Sequence, residues 1–154
     1  MKRVKGNLIK MAKNGEFNAI IHGCNCFNRM GSGIASDIKR EFNKAYSVDF
    51  ATKKGDYNKL GNYTRANVDA VLVINAYTQY NISVGEDVFE YASFEVILKK
   101  LVHFYADQKL NWGIPYIGMG LARGDQTRII PMIEKFAQQI EDAGGTVSLV
   151  EFNG

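Results

Sequence analysis

Apolar positions along this chain fall into two rhythms that alternate from one end to the other. Runs at residues 4–9, 18–23, 71–77, 114–117 and 146–152 read as strands, several of them continuous enough to be buried on both faces, and 62–66 adds an edge strand. The period changes to a helical one at 34–43 and at 87–107, where Tyr91, Phe94, Leu98, Leu101 and Tyr105 share one face. It changes again at 127–142, where Ile129, Ile133, Phe136 and Ile140 do the same. Pro131 fits that last helix only near its first turn, and Gly144-Gly145 supplies the stop. Residues 53–62, rich in Gly, Asp, Asn and Lys, are expected to be the least ordered. Strands alternating with helices, with no linker or internal repeat, predict an α/β layer fold.

Composition narrows this to one domain spanning 1–154. The 154 residues are 46% hydrophobic and 23% charged, enough for one core. The net charge of +3, with 19 Lys and Arg scattered along the chain, demands no nucleic acid but suits a compact anionic ligand. No apolar run reaches membrane-spanning length, and the N-terminus lacks the apolar stretch of a secretory signal. Cys24 and Cys26 are too close for an ordinary disulfide, so a reduced, cytoplasmic setting is the expectation.

Chemistry concentrates where predicted strands end. Gly31-Ser32-Gly33 precedes a predicted helix, so backbone N–H groups at that helix's start would face whatever leaves the strand end, a place anions favour. Gly118-Met119-Gly120-Leu121-Ala122-Arg123-Gly124 repeats the arrangement after the strand at 114–117. A glycine pair between strand and helix is also an ordinary tight turn, but two equivalent loops point to a pyrophosphate cradle at the carboxyl edge of the sheet. Neither loop ends in Gly-Lys-Ser/Thr, and the first lacks the third glycine of the dinucleotide fingerprint.

The segment His22-Gly23-Cys24-Asn25-Cys26 places polar groups at another strand end. His22 can exchange protons near neutral pH and Asn25 can hold a sugar hydroxyl or a water. Equally, His22 reads as a buried, hydrogen-bonded strand-end histidine and Asn25 as a turn residue. Only four residues separate Cys24 from Arg29, which breaks the Cys-x5-Arg spacing of a thiolate phosphatase, and the His and Cys positions do not form zinc-ligand pairs.

These segments together resemble the macro domains, most closely the small branch that acts on ADP-ribose 1''-phosphate. The resemblance rests on Val4-Lys5-Gly6-Asn7-Leu8, Ile21-His22-Gly23-Cys24-Asn25-Cys26, Met30-Gly31-Ser32-Gly33-Ile34-Ala35, Leu60-Gly61 before Leu72-Val73-Ile74-Asn75, and Ile114-Pro115 leading into Gly118-Met119-Gly120. It implies a three-layer α/β/α fold around a mixed, mostly parallel sheet, with no cofactor and no metal. Asn7 and Leu8 would touch adenine, with Phe152 stacked on it. Cys24 and Met30 would line the site, and Asn25 would hold the distal ribose. Gly31, Ser32, Gly33, Ile34 and Ala35 would embrace the diphosphate from one side, and Gly118, Met119, Gly120, Leu121 and Ala122 from the other.

The activity implied is hydrolysis of ADP-ribose 1''-phosphate, with His22 transferring protons and Asn25 assisting. Its rivals are capture of ADP-ribose without turnover, and removal of ADP-ribosyl groups from protein or nucleic acid. The branch performing that removal uses a lysine where this chain has a residue near Ala76, and an aspartate where it has Ala122. The expected partner is ADP-ribose or its 1''-phosphate, bound by a monomer with no membrane and no obligatory nucleic acid. A small Asn- and Lys-rich chain of this kind suits a cell or a phage, in which case the compartment would be the host cytoplasm.

Overall fold

A computed structural model describes residues 1–82, 85–120 and 122–153. Among them, six strands form one sheet in the order β1-β6-β5-β2-β4-β3. β1 (Lys2–Gly6), β2 (Ala19–Asn25), β4 (Val71–Gln79), β5 (Asn111–Pro115) and β6 (Thr146–Phe152) run parallel to their neighbours, and β3 (Tyr63–Val68) pairs antiparallel with β4. Two apolar layers cover the sheet. Ile21, Ile74, Trp112, Ile114 and Leu149 face α4 (Tyr91–Tyr105) and α5 (Gln126–Asp142). Ile20, Val73, Tyr77 and Val150 face α1 (Leu8–Lys13), α2 (Gly33–Glu41) and α3 (Asn43–Phe50). The result is the expected three-layer α/β/α architecture.

Several boundaries differ from the sequence reading, each for a local reason. The run at 4–9 ends its strand at Gly6, because Asn7 caps a helix instead: its Oδ1 accepts from Lys10 N at 3.1 Å, and Leu8, Ile9 and Ala12 bury one face. α3 was unforeseen, and its weak apolar pattern is compensated by polar bonds to the sheet described below. Pro131 lies in the second turn of α5, not the first. Residues 53–62 are tied down, with Lys59 buried and its Nζ donating to Cys26 O at 2.9 Å.

Close approach explains one strand glycine. A Cβ at Gly113 would fall on the Phe17 ring and within 2.7 Å of Leu8, so β5 can accept α1 against it only because this position is bare. Gly113→Ala is therefore expected to overpack this face and cost about 1–3 kcal/mol, read as a lower thermal midpoint. An unchanged midpoint would show that the contact relaxes freely.

Candidate functional site

β2 and β5 lie side by side in the sheet, yet the helices that follow them pack on opposite faces, α2 on one and α5 on the other. Chains leaving two adjacent parallel strands in opposite directions open a crevice at their carboxyl ends. There lies a cavity of about 710 Å³, lined in part by Asn7, Leu8, Gly33, Ile34, Gly120 and Phe152. Those are residues from both glycine loops, from the start of α1 and from the end of β6.

The two loops are not equivalent. Ser32 stands at the cap position of α2 but its side chain makes no capping bond, and the first turn carries no acidic side chain, so the amides opening onto the cavity keep their positive end exposed. α5, by contrast, is capped from within: Asp125 Oδ1 accepts from Thr127 N at 2.9 Å. The second loop instead folds on itself, Gly124 N donating to Gly118 O at 2.7 Å and Arg123 N to Gly120 O at 3.0 Å. It is anchored from the flank as well. The Phe89 ring lies against Gly118, Val88 N donates to Ala122 O at 3.0 Å, and Asp125 N donates to the Tyr91 hydroxyl at 2.8 Å. An anion would thus meet the amides of α2 on one side and a braced wall on the other.

Glycine identity is informative at two positions. Gly31 and Gly120 have ordinary negative-φ backbones, and a Cβ built on either meets no protein atom within 4 Å. Neither conformation nor packing demands glycine there, which leaves room for something outside the chain.

Among the other sequence-predicted residues, Ser32 and Ala35 flank the cleft within the first loop without lining it. Met30 and Cys24 are buried in the core on the α2 side. Within the second loop, Ala122 is buried in the opposite core and Met119 packs against it, and Leu121 lies outside the described residues. Asn25 shapes the turn after β2, its Oδ1 accepting from Phe27 N at 2.9 Å and its Nδ2 donating to Arg29 O at 3.0 Å. Its turn-residue reading matches this geometry. Phe152 is 70% exposed at the cleft edge, so it does not plug the core.

His22 is completely buried and absent from the cleft lining. Its surroundings determine its proton. Ala45 O can only accept, so the Asn75 amide nitrogen faces it at 3.0 Å and Asn75 Oδ1 turns toward His22 Nε2 at 2.6 Å, which must then carry the hydrogen. The same amide donates to Thr64 Oγ1 at 3.0 Å. Thr64 then donates to the Tyr77 hydroxyl at 2.9 Å, because Tyr77 spends its own hydrogen on Asp49 Oδ1 at 2.8 Å. One directed chain therefore runs from His22 to Asp49 and fastens α3 to β3 and β4. Burial holds the imidazole neutral down to about pH 4 despite the bond to Asn75, and it raises the Cys24 thiol pKa as well.

The cleft also contains residues that sequence reading passed over. Asp37 is four residues beyond Gly33 on α2, so helical phase alone places it on the same face. Glu151 and Gln126 border Phe152 and the second loop. Among the described residues no Lys or Arg belongs to the lining, and Asp37 is paired with Arg40 at 2.8 Å. The attraction for an anion would come from backbone amides. Among the described residues no cluster of metal-binding side chains occurs.

No protein-family model matches the sequence. The chain is 29% identical over 148 residues to an uncharacterised 17.5 kDa protein of the tk-vs intergenic region of enterobacteria phage T4, covering 92% of each chain. Among solved structures, a macrodomain protein from Streptomyces coelicolor matches 97% of this chain and 98% of its own, with a TM-score of 0.73 and 19% identity. Thermosipho africanus DarTG, solved with ADP-ribose, matches over 98% of this chain and 42% of its own length, with a TM-score of 0.72 and 14% identity. At these identities the likeness is one of fold, and the fold is that of the macrodomains.

The buried histidine makes a pH-dependent prediction. An imidazole has a pKa near 6.5 when exposed in the unfolded chain and about 4 in the fold, so between those values only the unfolded chain takes up the proton. Stability is full above pH 6.5 and falls as the pH drops toward 4, by on the order of 3 kcal/mol. Urea unfolding at pH 7 and 4.5 should show a steeper loss for the wild type than for His22→Gln. Equal losses would mean that His22 titrates freely.

Proposed function

We propose that this chain binds ADP-ribose, or a derivative extended at its distal ribose, in the cleft between the two glycine loops. The observation carrying this reading is the uncapped amide end of α2 facing, across about 710 Å³, the bare Gly120 of the braced second loop. That volume lies within the roughly 300–1,000 Å³ of small-molecule sites. A diphosphate would take its hydrogen bonds from the α2 amides, a planar base would find the exposed Phe152, and Asp37 and Glu151 would accept from hydroxyl or amino groups. The similarly folded DarTG solved with ADP-ribose supports the choice of ligand.

Hydrolysis of ADP-ribose 1''-phosphate through His22 gains no support from this geometry. That imidazole is buried, commits Nε2–H to Asn75 and stays neutral until about pH 4. Turnover would need its proton carrier at the cleft, where Asp37 and Glu151 supply carboxylates.

Isothermal titration with ADP-ribose should give saturable heat. Gly120→Val, whose Cβ would meet no protein atom within 4 Å in the free protein, should keep the thermal midpoint while weakening binding by at least about tenfold, a loss of about 1.4 kcal/mol. Phe152→Ala should weaken binding by roughly tenfold if it stacks on the base. Absence of heat with the wild type would dismiss the reading. In parallel, phosphate release from ADP-ribose 1''-phosphate separates an enzyme from a binding domain, and His22→Gln is expected to leave that outcome unchanged.

A further inference from the structure

Beyond the cleft, on the same edge of the sheet, lies a second surface whose residues do not line the cleft. Tyr57 stacks face to face on Tyr80, ring centroids 3.6 Å apart and planes 2° from parallel, and Phe27 meets Tyr80 edge-on at 4.9 Å. Hydrogen bonds hold the backbone beneath these rings. The Tyr80 hydroxyl donates to Gly55 O at 2.9 Å, Gly55 N to Cys26 O at 2.7 Å, and Cys26 N to Tyr80 O at 2.8 Å. Asp56 caps the short 3₁₀ turn carrying Tyr57, accepting from Asn58 N at 2.9 Å.

Tyr57 is nevertheless 65% exposed. One face rests on Tyr80, so the other is left to solvent. Isolated aromatic pairs prefer offset or edge-to-face contact; a parallel pair with one open face, fixed on a bonded turn, is ready to accept a third ring with little loss of freedom.

Charge identifies what that ring would belong to. Arg29 is two residues beyond Phe27, and Lys53 and Lys54 adjoin Gly55, whose backbone bonds both Cys26 and Tyr80. All three cations are exposed, and among the described residues none of them forms an ion pair. Flat aromatic surface bordered by uncommitted cations suits stacked bases joined by phosphates. The modest overall charge hides this local concentration.

We propose that the Tyr57–Tyr80–Phe27 platform binds single-stranded nucleic acid, with a base on the open face of Tyr57 and adjacent phosphates on Arg29, Lys53 and Lys54. This site goes beyond the ADP-ribose reading and does not depend on it, although the segment after β2 links the two: Phe27 belongs to the platform and Gly33 to the cleft.

The test is fluorescence anisotropy of a short labelled oligothymidylate with the full chain, at low and physiological salt. The expected result is saturable binding that salt weakens, with affinity reduced about tenfold by Tyr57→Ala and kept by Tyr57→Phe. The double change Lys53→Ala and Lys54→Ala should flatten the salt dependence. Thermal melts and ADP-ribose titration should match the wild type in Tyr57→Ala, so failure of the platform and failure of the cleft are told apart. The proposal is overturned if no saturable binding occurs at low salt, if Tyr57→Ala binds as the wild type does, or if a blunt duplex or polyglutamate competes as well as the single strand.

Discussion

Two neighbouring parallel strands whose chains depart to opposite faces constrain everything at the functional edge of this molecule. Because α2 follows β2 on one face and α5 follows β5 on the other, the sheet edge between them cannot be closed by its own connections. Something must satisfy the amides that open α2, and Ser32 does not. Water can do so in the free protein; a diphosphate would do so with better charge complementarity. The cleft is thus a direct consequence of topology, and the glycines are what keep it unobstructed.

The polar chain from His22 through Asn75, Thr64 and Tyr77 to Asp49 solves a different problem. α3 fully buries only Ala45 among its apolar side chains, so its attachment relies on bonds whose donors and acceptors are all matched. Burial would disfavour a charged imidazole, and here it remains neutral with a defined tautomer. Asp49 is pushed the other way, its carboxyl pKa raised by burial against the opposing pull of Tyr77 and Lys59. A histidine at a strand end beside a glycine loop invites a catalytic reading; here its Nε2 is committed to Asn75 and its ring does not line the cleft.

Most of the architecture was legible in periodicity. β4, β6, α4 and α5 have long apolar patterns that tertiary context did not overrule. The errors fell where one polar residue decides the outcome: Asn7 turns an apolar run into a helix by capping it, and Lys59 orders a segment whose composition suggests a loop. At the site, Gly33, Gly120, Asn7 and Phe152 were legible because backbone exposure and strand ends leave marks in sequence. His22 was ambiguous because burial depends on Asn75 and Ala45, 53 and 23 residues away. Asp37 needed only the helical phase, whereas Glu151 becomes meaningful once β1 and β6 are known to be neighbours.

The central claim is that α2 amides, and not a charged side chain, receive the ligand's diphosphate. Amide chemical-shift mapping of isotope-labelled protein during titration with ADP-ribose tests it most directly. The account predicts the largest displacements at Gly33, Ile34 and Ala35, accompanied by Gly120, with His22 and Asn75 nearly still. Displacements centred on another part of the sheet, or none at saturating ligand, would contradict it.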